Sequence, residues 1–135
     1  MNSLKCYSEL LEPEGILRIA FAGFYPPGSK GNPTAEAMSN FVRQVVQDQK
    51  PLSVLLDLSD LEYRWGDAIF GIVVPFHTAG WMKPLRSVCV LAVGETAQAL
   101  RPLFKPNMGF GIMGAELFEE EQKALAYLNP SPTMT

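Results

Sequence analysis

The chain has 135 residues, is 47% hydrophobic and 19% charged, and carries a formal net charge of −3. That length and balance suit one folded domain with its own core and exclude a charge-rich disordered chain. The net acidity and scattered basic residues leave no electrostatic footprint for nucleic acid, and one histidine with two distant cysteines excludes a disulfide scaffold or a zinc site.

Two short apolar segments, Cys6 to Leu10 and Ile16 to Phe21, flank EPEG, whose Pro13 and Gly15 supply turn chemistry; they predict a hairpin. The start, MNSLKCYSELLEPEG, has no sustained apolar run behind a basic head, so no secretory signal is expected. PPGSKGNP cannot continue a strand and reads as a loop; an anion-binding nest in GSKGN is outweighed by a plain solvated turn. Asn32 is expected to cap a helix with Pro33 at its first position, and Met38, Phe41, Val42 and Val45 give it one core face. After Pro51, LSVLLDL is the nearly continuous apolar run of a strand covered on both faces.

DLSDLEYRWGD, Asp57 to Asp67, begins as the end of that strand and finishes as the start of a helix. Asp57 and Asp60 read as turn-forming acids, Glu62 as a solvated loop residue and Asp67 as an N-cap. The helix is expected from Ala68 to about His77, with Ile69, Phe70, Val73 and Val74 facing the core, and with Gly80 and Pro84 stopping it. The longest apolar stretch, Ala68 to Met82, is interrupted by Pro75, His77 and Thr78 and is too short to span a membrane. A soluble, cytoplasmic protein is therefore expected. A second buried strand follows, Ser87 to Val93, in which Cys89 is a packing thiol. Then come a short helix in ETAQALRPLF with Leu100, Leu103 and Phe104 inward, a last edge strand in GFGIMG, a helix from Glu116 to Leu128, and a frayed tail, NPSPTMT. The chain thus reads as one α/β domain over residues 1–128 with a tail at 129–135. Its order is ββαβαβαβα: a mixed sheet with an N-terminal hairpin and mostly parallel central strands, joined by right-handed crossovers and covered by helices.

The sequence offers no GxSxG elbow, GxGxxG or Walker loop. His77 reads as a surface or capping group near a helix end. Asp57, Asp60, Glu62 and Asp67 gather near one sheet end, but each has a simpler structural role, and the acids at Glu119 to Glu121 read as a wet helix face rather than a metal site. The tryptophans say more. Trp65 precedes the helix at Asp67 and Trp81 follows it; rings so placed either close over the core or serve as interface anchors, and both readings are open.

VLLDLSDLEY resembles the strand and turn of the STAS fold, the anti-sigma factor antagonist family, in which a D-L-S-x-(V/L)-x-(F/Y) run leads into a D-(S/T)-S-G corner and a helix. RSVCVLAVGE and FEEEQKALAYL are similar to the second buried strand and the last helix of the SpoIIAA-like, STAS/Sec14-like branch, and the resemblance runs from about Glu14 to Leu128. It implies a non-enzymatic regulatory domain without cofactor that binds a protein partner at the corner, through Trp65, Gly66, Asp67, Phe70 and Trp81. In the family the second serine of the corner is phosphorylated to switch binding to an anti-sigma kinase; here Asp67 takes that place. A carboxylate keeps a single charge and cannot be switched by a kinase, so Asp67 either imitates the modified state or caps the helix. The Sec14-like side implies an alternative, a small apolar ligand or lipid held in a pocket between helix and sheet and closed by Trp65 or Trp81. An exposed edge strand and an apolar helix surface leave room for a homodimer.

Overall fold

The computed structural model describes residues 4–73, 87–112 and 114–129. Strands β1 (Lys5–Leu11) and β2 (Ile16–Phe24) form the expected hairpin, with Leu11 opposite Ile16. Its turn closes through Gly15, which donates its N–H to the Leu11 carbonyl at φ 75°, a left-handed conformation that glycine adopts without a Cβ clash. A 3₁₀ turn, Gly28–Gly31, then leads into α1 (Asn32–Gln49). The cap position falls on Gly31 rather than on the expected Asn32, one residue earlier, and Pro33 sits in the first turn, where its missing N–H has no intrahelical acceptor to lose.

Strand β3 (Ser53–Glu62) pairs parallel with β2 on one side and with β4 (Ser87–Leu91) on the other, and β5 (Glu116–Phe118) adds parallel to β4. The sheet order is β1-β2-β3-β4-β5. A 3₁₀ segment, Asp67–Ile72, follows β3; α2 (Gly94–Leu100), a 3₁₀ turn (Arg101–Phe104) and α3 (Gly109–Ile112) follow β4; α4 (Glu121–Leu128) closes the described chain.

Because strand side chains alternate between faces, β3 serves two cores. Val54, Leu56 and Leu58 pack with Leu17, Ile19, Phe21, Val88 and Val90 beneath α1, the 3₁₀ segment and α2. Leu55 packs with Ile16, Cys89 and Leu91 beneath Ala124 and Leu128 of α4. Coverage on both faces is why this strand reads as an unbroken apolar run. The described elements of the three crossovers pack on one face, as a uniform crossover hand requires. Cys89 is buried and its thiol is pushed up to about 12, first by burial and then by the Glu116 charge; it is a packing group.

The strand expected in GFGIMG is instead the short helix α3. A Cβ on Gly111 would lie 1.9 Å from the Lys105 carbonyl oxygen, so this glycine permits the chain to fold tightly back on itself. Met108 donates to the Lys105 carbonyl and Ala115 to that of Phe110, completing the turn. The edge strand is Glu116–Phe118, and the final helix accordingly begins at Glu121 rather than Glu116. The second half of the helix expected after Ala68, including Val74, His77 and Gly80, lies outside the described residues, as do Trp81, Met113 and residues 130–135. No helix among the described residues is long and apolar enough to cross a membrane.

Candidate functional site: the corner after strand β3

Asp57 and Asp60 do not form a turn. Strand β3 continues past both, and its register against β2 slips by one residue: Ala20 faces Asp57 while Ala22 faces Asp60. Such a bulge places an extra residue in one strand and re-aims the side chains beyond it. Before it Leu56 and Leu58 enter the main core; after it the entering residues are Leu61 and Tyr63, with the opposite parity. The bulge is held by Asp57, which is 4% exposed and accepts the Ser59 N–H at 2.9 Å and a hydrogen bond from the Arg18 guanidinium. Beyond Asp57 the edge of β3 is no longer paired with β4. Thr96 of α2 serves it there, donating to the Leu61 carbonyl at 2.7 Å and accepting the Tyr63 N–H at 3.3 Å.

The corner is thereby delivered beside the loop that follows β2. Tyr25 donates its N–H to the Glu62 carbonyl at 2.9 Å, and Gly28 donates to that of Trp65 at 3.2 Å. Two glycines make the approach. Gly28, at φ 67°, lies so close to the indole that a Cβ there would sit 2.6 Å from Trp65 Cη2, and a Cβ on Gly66, at φ 132°, would lie 3.3 Å from the Gly28 nitrogen. Read as a solvated loop, PPGSKGNP has no part in the site; the structure places it there. Its glycine spacing is the available signal in the sequence: a Cβ on Gly31 would meet Pro26 and Tyr25 of the same loop, whereas the surface that Gly28 approaches, the Trp65 ring, lies in a segment more than thirty residues away.

Under the corner, Tyr25 and Tyr63 meet edge to face with ring centroids 5.2 Å apart. The Tyr63 hydroxyl donates to the Gly66 carbonyl at 2.8 Å, whereas the Tyr25 hydroxyl is buried with no hydrogen-bond partner among the described residues. Burial pushes the Tyr25 phenol up to about 12, helped by the nearby Asp67 charge. Tyr63 is raised further, by burial first and then by Tyr25 and Asp67.

Of the expected site residues, Trp65, Gly66 and Asp67 form one exposed edge. Trp65 is 63% exposed and Asp67 is exposed beside it. Asp67 is not the N-cap: Gly66 occupies the cap position, no side chain bonds there, and Asp67 is the first residue of the 3₁₀ segment. Its charge complements free N–H groups without capping them. Phe70 is turned away, half-buried, edge-on to Phe110 at 5.1 Å and against Gly109. Asp57 and Asp67 do not form a facing carboxylate pair, because Asp57 is committed to Ser59 and Arg18.

Among the described residues, hollows lie elsewhere. One of about 470 Å³ opens among Arg101, Phe104, Lys105, Gly111, Glu116 and Leu117. Another of about 180 Å³ lies over Tyr7, Arg18, Ala20, Asp57 and Asp60. Charged groups line both, and Trp65 borders neither. Among the described residues, no group of three His, Cys, Asp or Glu side chains converges as metal ligands would.

No protein-family model matches the chain, and no curated protein matches it. Among solved structures it is similar to an anti-sigma factor antagonist from Mycobacterium paratuberculosis, at 19% identity and a TM-score of 0.65, over 93% of this chain and 94% of that one. An uncharacterised protein with a SpoIIAA-like fold from Shewanella loihica is also similar, at 17% identity and a TM-score of 0.48, over 95% of each chain. The hairpin, the parallel strands and the helices on both faces give this chain the fold of that anti-sigma factor antagonist.

Proposed function

We propose that the protein is a non-enzymatic regulatory domain that binds a protein partner at the corner formed by Trp65, Gly66 and Asp67, with Asp67 in place of the family's phosphorylated serine. The observation that carries this reading is the 63% exposure of Trp65. Its ring is braced against Gly28 and its carbonyl is engaged by the Gly28 N–H, so the indole is presented already positioned. A rigid, amphipathic ring with a charge at its rim matches the anatomy of interface hot spots, and pre-positioning lowers the ordering cost of association. Asp67 supplies a permanent negative charge, so binding is constitutive rather than switched. Phe70 supports the corner through its contact with Phe110, and Trp81 is assigned to the same surface from its place in the sequence.

Affinity capture from native cytosol with the wild type, Trp65→Ala, Asp67→Asn and Asp67→Lys tests this. A protein retained by the wild type, weakened by Asp67→Asn and lost with Trp65→Ala and Asp67→Lys is the expected result. Equal retention by all four, with the variants folded, removes the corner from the function.

A further inference from the structure

The sheet ends on one side in β1, whose outer edge pairs with no strand among the described residues. A seven-residue edge with free N–H and C=O groups is a template for another strand, and many proteins blunt such edges with charged side chains, which repel a second copy when they carry one sign. This edge carries both signs. Lys5, Tyr7 and Glu9 are exposed on one face, Tyr7 to 54%. Leu4, Cys6 and Leu10 lie on the other, only partly buried against the core beside Phe41 and Val45 of α1.

We propose that β1 is the interface with a second copy of this chain, the two strands pairing antiparallel about a two-fold axis at Tyr7 and joining the two sheets into one. Directly opposed residues of an antiparallel pair share a face, so a strand paired with its own copy matches odd positions with odd and even with even. With Tyr7 on the axis, Lys5 opposes Glu9 of the second copy and Glu9 opposes its Lys5. Leu4 opposes Leu10, Cys6 opposes Ser8, and the two Tyr7 rings meet. The register sets two charge pairs across the axis, Leu4–Leu10 pairs that extend the half-covered row beside α1, and an aromatic pair that buries the exposed rings, with the small Cys6 and Ser8 facing each other between them. Moving the axis to Ser8 sets Lys5 against Leu11 and Tyr7 against Glu9 and satisfies neither charge. The interface uses no residue of the corner and stands independently of the reading of that site.

The register gives the test. In a Cys6→Ser background, Tyr7→Cys places two thiols across the axis at about 4.5–5.5 Å between Cα atoms, within disulfide range. The expected result has four parts. Wild-type protein sediments as a dimer, mild oxidation cross-links Tyr7→Cys, Ser8→Cys in the same background stays uncross-linked, and Lys5→Glu weakens association by about tenfold or more because it sets two like-charge pairs across the axis. Lys5→Glu combined with Glu9→Lys restores it. A wild-type monomer at millimolar concentration overturns the proposal. So does a dimer in which Tyr7→Cys fails to cross-link or Ser8→Cys cross-links as well, since the contact then lies elsewhere or in another register.

Discussion

Replacing Asp57 with alanine tests whether this carboxylate sets the bulge on which the corner depends. The substitution removes the acceptor of the Ser59 N–H, held at 2.9 Å, and the partner of the Arg18 guanidinium. A hydrogen bond to a charged group contributes about 1.5–3 kcal/mol, and the amide loses its acceptor in a site where the carboxylate was 4% exposed. The Arg18 share is smaller, about 0.5–1 kcal/mol, because the arginine side chain is 34% exposed and rehydrates when unpaired. Together Asp57→Ala costs about 2–4 kcal/mol, a fall in Tm of roughly 6–12 °C at this chain length. Asp57→Asn keeps an oxygen for Ser59 and costs about half as much. Asp60→Ala, three residues on and exposed, stays within about 0.5 kcal/mol. Urea unfolding followed by tryptophan fluorescence ranks the three. If Asp57→Ala is no more destabilising than Asp60→Ala, the bulge is fixed by packing of Leu61 and Tyr63 alone and the reasoning fails.

Gly28→Ala is expected to cost about 2–3 kcal/mol, combining the penalty for a Cβ at φ 67° with displacement of the Trp65 ring 2.6 Å away. A red-shifted Trp65 emission in a Trp81→Phe background is the accompanying signal; an unchanged spectrum refutes the contact. Tyr25→Phe removes a buried hydroxyl that has no partner among the described residues and is neutral or stabilising by up to about 1 kcal/mol, whereas Tyr63→Phe loses its bond to the Gly66 carbonyl and costs about 1 kcal/mol. Both phenols are raised above the ordinary value of about 10. Above that pH the unfolded chain therefore releases protons that the folded chain retains, and stability falls as pH rises through 10 to 12. Tyr25→Phe makes the fall shallower, and an equal slope in both proteins contradicts the assignment.

The elements with one clear job were legible in the sequence. LSVLLDL announced a strand covered twice, Met38 and Val42 announced the core face of α1, and EPEG announced the hairpin turn. The errors cluster where one residue type serves two purposes. The glycines of GFGIMG looked like strand boundaries, but Gly111 serves a tight fold-back against Lys105. Asp57 and Asp60 looked like turn formers, since aspartate is common there. A bulge held by Arg18, on another strand, kept them in β3.

The sequence by itself determined the features that depend on near neighbours: the period of apolar residues, the turns, and hence the alternation that yields a mixed sheet with parallel central strands. The corner's use depends on residues distant in the chain. Gly28 under Trp65, Tyr25 beneath Gly66 and Thr96 at the unpaired edge of β3 become neighbours only when the sheet has formed. Periodicity carries no record of such contacts. The tertiary structure decided that Trp65 and Asp67 share one exposed edge while Phe70 turns inward. The physical reason is that a bulge changes the facing of every residue after it, and this bulge is held by a bond across two strands.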